Sequence, residues 1–240
     1  MSQFNGKNKL LELKKMFGME ATELISRLVI FIVVLLLSIS IHEAGHAWMS
    51  WKFGDNTAYD LGRVTLNPIA HADPIGTLLL PILGFISASM GGFGLLGWGK
   101  PCPINPRNWA NYKKANFWVS IAGVLGNLIL VITALVLIKA ATFFNLIELR
   151  DLVGTNPIGI FLMSLLFMNV SLIVFNLLPF PPLDGSKILA NFLPSSFQPI
   201  FDMLDQYGMI LLWILVISGI TRYIFQPVSE FVIYLLILLN

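Results

Sequence analysis

Cysteine is almost missing from this chain of 240 residues. Cys102 stands alone, which excludes an internal disulfide and any cysteine-rich metal site. Charge is scarce too: Asp, Glu, Lys and Arg make up 12% of the residues, against about a quarter in ordinary soluble domains. A net charge of +2 gives no argument for acidic partners, and no nucleic-acid partner is expected. A secretory leader is not expected either, because Met1 to Gly18 is polar and basic and no small-residue cleavage site follows the first apolar segment. No internal repeat is visible, and no attached soluble domain is expected.

What fills the chain instead is apolar residue, 56% of the total, with a mean hydropathy of +0.79. Stretches long enough to cross a bilayer recur. The expected fold is an all-α membrane protein: a polytopic bundle of 5–6 transmembrane helices with a re-entrant or hairpin element. Residues 1–23 read as a cytoplasmic N-terminal segment, with an interfacial helix around Leu10–Met19, and residues 24–240 as one integral membrane domain. Spans are expected at 24–51, 75–89 (short), 117–144 and 158–178. After a short helical piece at 188–192, residues 207–220 and 223–239 are expected as two further short spans, in preference to one helix broken at Gly219.

Between the first two spans lies a polar connection, 52–73, in which Val64-Thr65-Leu66 reads as a short strand. Residues 84–106 combine six glycines and three prolines with Phe85, Phe93, Leu95, Leu96 and Trp98. That density of glycine and proline does not support a stable helix, and non-helical backbone at membrane depth must be buried in protein or line a wet cavity. A re-entrant or hairpin element is therefore read here, with an ordinary interfacial loop as the alternative. In the third span, Gly123, Gly126 and Asn127 suggest a tightly packed interhelical face, with Asn127 as packing glue. Basic residues weigh most in the N-terminal segment and the 100–114 loop, which places the N-terminus in the cytoplasm.

The chemistry gathers at Ile41-His42-Glu43-Ala44-Gly45-His46, at the foot of the uncharged run from Leu28 to Ile41. Ionisable groups inside a span are expensive and by default functional. His42 and His46 are four apart and share one helix face. Two imidazoles so placed can hold one zinc ion, with Glu43 beside them as general base. Gly45 lets another element approach. A catalytic zinc generally takes three protein ligands, and the candidates for the third are His71, Asp73 and Asp184. Asp184 is the best: three prolines after a long apolar helix free the backbone there, and a metal would neutralise the carboxylate at membrane depth.

His42-Glu-Ala-Gly-His46, followed by Asn176-Leu-Leu-Pro179-Phe-Pro-Pro-Leu-Asp184-Gly185, resembles the site-2 protease family of intramembrane zinc metalloproteases. Arg63-Val-Thr-Leu-Asn-Pro68, His71-Ala-Asp-Pro74 and Gly97-Trp-Gly-Lys-Pro101 are similar to its compact members, which lack PDZ and CBS domains. The resemblance spans about residues 28–190. It implies one zinc per chain, held by His42, His46 and Asp184, with Glu43 as the catalytic carboxylate and Asn176 holding the substrate or the oxyanion. His71 matches a recurring position and reads as a gate or structural residue rather than a ligand. Ser186-Lys187 departs from the Gly-Arg or Gly-Gly more usual after Asp-Gly, a difference that carries no mechanistic weight at the level of sequence.

The implied reaction is peptide-bond hydrolysis within or near a transmembrane segment, in regulated intramembrane proteolysis or the clearance of remnant signal peptides. The implied partners are a single-pass membrane protein or signal-peptide remnant as substrate, the lipid bilayer, and a homo-oligomer or regulatory membrane partner. The expected location is the cell membrane. A locally unwound substrate would pair with the glycine-rich 84–99 stretch by edge addition, beside a polar, water-filled cleft between spans one, three and four. Two other classes compete. A metal-ion transporter would spread its ligands along a pathway and use Glu43 as one of them. A non-catalytic scaffold of the same fold would have no need of Glu43 or the histidines, yet all are present.

Overall fold

Nothing in Ala21–Lys52 interrupts a helix: the run holds no proline, and its single glycine, Gly45, lies near the end. The computed structural model, which describes residues 21–89, 97–152 and 154–239, shows it as one helix, α1. At 1.5 Å per residue α1 is about 48 Å long, so His42 lies roughly 31 Å from its start, about one bilayer thickness away. The suggested interfacial helix at Leu10–Met19 lies outside the described residues.

Past Lys52 the chain makes short helical turns at Thr57–Asp60 and Pro68–His71. Val64-Thr65-Leu66, expected as a strand, is a bend: no neighbouring segment pairs with it, and Thr65 instead gives its carbonyl to His71 and its hydroxyl to the Asn67 amide. A wide π turn, Pro74–Leu79, then leads into α2, Leu80–Ser89. Asp73 caps this start, its carboxylate accepting from the amides of Ile75 and Gly76.

This second apolar helix does not cross. When the chain resumes at Gly97 it is back beside the helix start: the Trp98 amide donates to Gly76 O at 3.0 Å, and the Lys100 amide to His71 O at 2.9 Å. The expected short span is thus the outgoing arm of the re-entrant element, and Gly97–Ile104 is its non-helical return. Part of the glycine-rich stretch, residues 90–96, lies outside the described residues. Gly84 is accommodated within α2, so the helix persists further into that stretch than its composition suggests.

Helix α3, Tyr112–Phe143, is capped by Asn111, whose side chain accepts from the Lys114 amide. It runs antiparallel to α1, with Gly126 against Ile41 and the Ala122 backbone against Gly45. Helix α4, Pro157–Asn176, runs parallel to α1, as Arg27 meeting Gly154 and Ser38 meeting Asn169 demonstrate. Val34, Leu130, Ile138, Leu162 and Leu166 fill the core among these three helices, and Val232 and Leu236 of a later helix join it. A short helix α5, Asp184–Ala190, follows the proline-rich turn, then α6, Gln198–Ile217, and α7, Thr221–Leu239. Gly219, at φ +74°, divides the last two in the left-handed region that favours glycine.

Among the described residues, five helices (α1, α3, α4, α6 and α7) are long and apolar enough to span a membrane, and no strand occurs. The re-entrant return has one consequence for orientation. The Trp109 indole binds Ser50 and the Ala110 amide binds Phe53 O, so the 100–111 loop sits at the Lys52 end of the bundle, opposite Ala21. The two basic stretches used to orient the chain therefore pull in opposite senses, and together they give no net preference.

Candidate metal centre

His42 and His46 face α3 from successive turns of α1, and glycine makes the room. A Cβ at Gly123 would fall inside both imidazoles, and one at Gly45 would strike the Ala122 carbonyl. Each ring is held from behind. The Nδ1 atom of His46 lies 2.7 Å from Val119 O, and that of His42 lies 2.7 Å from Asn127 Oδ1. The Asn127 amide is itself oriented: its Nδ2 donates to Ser38 O and to Asn169 Oδ1, while Asn169 Nδ2 donates to Ser38 Oγ and Leu165 O. Both partners of the histidines are acceptors, so both Nδ1 atoms carry the proton and both Nε2 atoms present a lone pair.

These lone pairs converge. The two Nε2 atoms are 3.1 Å apart, and Asp184 Oδ2 lies 3.1 Å from that of His46 and 3.3 Å from that of His42. Asp184 starts α5, brought under α1 by the turn at Pro179–Leu183. Gly185 has to be glycine because a Cβ there would meet the carbonyls of Leu177 and Leu178 at the end of α4. All three side chains are buried, and Asp184 Oδ2 has no hydrogen-bond donor. Three acceptor atoms facing one another in a buried site repel unless a cation lies between them. The ligand atoms lie within 4.8 Å of one another, and two imidazoles with one carboxylate are a donor set suited to zinc. The residues fit the ion that the sequence implies.

Glu43 is not part of that convergence. It lines the cleft beside the histidines, where its Oε2 accepts the Cys102 backbone N–H at 2.9 Å. The return segment is thus laid across Glu43, and it is pinned along its length. Arg63, buried, donates through Nη2 to Lys100 O and Pro101 O, and Thr77 Oγ1 donates to Trp98 O. Asp55, fully buried, accepts from the Asn105 amide, Asn108 Nδ2, Ser50 Oγ and Thr57. Burial alone would raise the Asp55 carboxyl, but the donors from Thr57, Asn105 and Asn108 outweigh it and hold the pKa at about 2.

The other candidates for third ligand are engaged elsewhere. His71 is buried, with Nε2 on Thr65 O at 2.8 Å; burial, opposed by the Thr65 carbonyl and assisted by Arg63, lowers its pKa and keeps the ring neutral. Asp73 is the helix cap already described. Asn176 ends α4 on the cleft wall, where its Nδ2 donates back to Leu172 O at 2.9 Å. One of its two N–H bonds is therefore taken, and it lies outside the converging group.

Asn127 does more than pack helices, since its carbonyl fixes the His42 ring; a polar residue one turn after Gly123 in an apolar span was the signal. Asp55 and the Cys102 amide left no such signal. The cleft itself measures about 1040 Å³ and reaches from the metal end between α1, α4, α6 and α7. Its walls, among them Phe31, Leu35, Phe175, Trp213 and Val216, are mainly apolar, and His42, Glu43, His46 and Asp184 line it too. The polar cleft expected between three spans is instead an apolar one that α6 and α7 help to close.

Comparison with known proteins bears on the same residues. A family model described as Peptidase family M50 matches residues 141–217, which contain Asn176 and Asp184. The chain is 34% identical over 203 residues to a Bacillus subtilis protein named "Putative zinc metalloprotease YwhC", covering 82% of this chain and 84% of that one. It is 31% identical over 206 residues to "Putative zinc metalloprotease Rip2" of Mycolicibacterium smegmatis, covering 84% and 73%. It is also 31% identical over 192 residues to the Mycobacterium tuberculosis H37Rv protein of that name, covering 79% and 68%. No solved structure matches the chain significantly.

Proposed function

The chain belongs to peptidase family M50, the site-2 protease family, and within it we propose an intramembrane zinc metalloprotease whose zinc is held by His42, His46 and Asp184. The observation that carries the reading is the meeting of two Nε2 lone pairs and a donorless carboxylate oxygen in a buried site. Bound there, zinc supplies Lewis acidity, polarising a scissile carbonyl and acidifying the attacking water.

Glu43 is the proposed proton carrier. With one oxygen fixed on the Cys102 amide, its carboxylate accepts a proton from the attacking water as the water oxygen bonds to the carbonyl carbon. The carbon–nitrogen bond then breaks, and Glu43 returns the proton to the leaving amine. The second N–H of Asn176 is the proposed hydrogen bond to substrate on the cleft wall. His71 is proposed as a structural link, since it ties the 65–71 turn to the return segment through Thr65 O and the Lys100 amide. A transporter is disfavoured by the convergence of the ligands on one point and by Glu43 lying outside it.

The substrates are membrane-embedded polypeptides. The finer proposal, single-pass proteins or remnant signal peptides, draws support from the apolar lining of the cleft beside the metal end. Residues 24–240 are proposed to act as a single membrane domain, alone or as a homo-oligomer or with a regulatory membrane partner. A cytoplasmic N-terminus is supported by Lys7, Lys9, Lys14 and Lys15 and opposed by Lys100, Arg107, Lys113 and Lys114 at the other end; protection of an N-terminal tag from protease in sealed vesicles decides it.

Cleavage of a panel of single-pass substrates by detergent-purified protein, wild type beside Glu43→Gln, tests the function. Cutting by wild type alone, with equal zinc in both samples, supports the reading. Equal cutting by both variants removes Glu43 from the chemistry.

A further inference from the structure

The two oxygens of Asp184 have different neighbours. Oδ2 faces the histidines, while Oδ1 lies 3.4 Å from Nζ of Lys187, one helical turn further along α5. The Asp184 side chain is 6% exposed and that of Lys187 is 55% exposed, so a buried anion meets a cation that reaches in from the cleft. Among the described residues lining that cleft, Lys187 is the one lysine or arginine. Its main chain is fixed as well. The Lys187 carbonyl accepts from Asn116 Nδ2 at 3.1 Å, the same amide meets Asn191 Oδ1, and Asn191 Nδ2 returns to Lys113 O. Helix α5 is thereby tied to the first turns of α3, the helix that also orients His42 and His46.

A carboxylate can bind a metal through one oxygen or through both. A catalytic zinc site with three protein donor atoms and one water is four-coordinate, and an Asp that chelates through both oxygens beside that water raises it to five and crowds the position that substrate uses. An ammonium on the outer oxygen opposes chelation, because turning Oδ1 toward the metal would break the ion pair and set the cation beside it. We propose that Lys187 is a positioning residue that holds Asp184 to one-oxygen coordination and so keeps the metal site, with its water, four-coordinate rather than five-coordinate. The inference rests on the metal-centre reading above. It assigns to Lys187 an effect on coordination number rather than on folding or on the presence of metal.

Cobalt reports coordination number directly, since four-coordinate Co²⁺ gives intense visible bands and higher coordination gives weaker ones. The full-length protein, purified in detergent and loaded with Co²⁺, is compared as wild type, Lys187→Met and Lys187→Arg, with metal content measured on each. The expected result is four-coordinate bands for wild type and Lys187→Arg. For Lys187→Met the same metal content is expected, with visible absorbance per cobalt clearly below that of wild type. The arginine variant keeps a cation on Oδ1, so its recovery of the wild-type spectrum separates positioning from general damage to α5. Identical spectra for wild type and Lys187→Met overturn the role of Lys187 and leave the metal centre intact. A wild type that takes up no cobalt overturns both.

Discussion

Asn127 Oδ1 lies 2.7 Å from His42 Nδ1, joining the middle of one spanning helix to an imidazole of the proposed metal centre on another. This contact fixes the tautomer and the plane of the ring, and it ends a buried chain of donors and acceptors that runs through Asn169 to Ser38. Outer partners of this kind typically contribute 10- to 100-fold in metal affinity or activity. Asn127→Ala is therefore expected to weaken zinc binding by about that factor, read by competition with a chromogenic chelator. Unchanged affinity would mean that the ring is held by other contacts.

Gly123 and Gly45 separate metal binding from helix packing. A Cβ at Gly123 meets the imidazoles of His42 and His46, while one at Gly45 meets the backbone of Ala122. Gly123→Ala should displace the ligands and lower zinc content with a modest change in melting temperature. Gly45→Ala forces two backbones apart and should destabilise by about 1–3 kcal/mol, the usual range for overpacking. Zinc content and thermal melting of both variants check the contrast, and the same pattern in both would contradict it.

Asp55 carries the pH prediction. Its folded pKa of about 2 lies below the ordinary 3.8, so its contribution is fully present above about pH 4 and lost as pH falls through about 2. The shift corresponds to about 2 kcal/mol at neutral pH. Asp55→Asn should lower stability by about that much at pH 7, with the difference from wild type shrinking below pH 4. Melting curves across pH measure it, and a difference that grows on acidification would have the wrong sign.

Cys102 reports on Glu43. Burial first, and the Glu43 carboxylate second, push its thiol up to about 12. Alkylation of wild type near pH 8 should therefore be slower than that of a free thiol by about a thousandfold from thiolate population alone, and should climb steadily with pH. Glu43→Gln removes one cause, so it should lower the thiol pKa and speed alkylation. A slower reaction in that variant would place the carboxylate elsewhere.

Much of this architecture is legible in the residues. The uncharged run before His42, the four-residue spacing to His46 and the proline-broken turn before Asp184 each have a local cause, and the fold brings them to one point. Gly219 likewise marks the break between the last two helices. Other features depend on partners far along the chain. Val64-Thr65-Leu66 has strand-forming residues but no strand to pair with. The turning back of the chain after α2 is expressed in the Trp98–Gly76 backbone contact, which neither side chain announces. Asp55 looks like any loop aspartate until the segment around Asn105 closes over it, and the Cys102 amide that holds Glu43 is a main-chain group.

The most direct measurement is zinc per chain in detergent-purified protein, by atomic spectrometry after dialysis, for wild type, Asp184→Asn, His46→Asn and Glu43→Gln. Wild type and Glu43→Gln are expected to hold about one zinc each, because Glu43 lies outside the converging atoms, and the two ligand variants are expected to lose it. Full zinc in Asp184→Asn, or loss of zinc in Glu43→Gln alone, would contradict the assignment of His42, His46 and Asp184 as the metal centre.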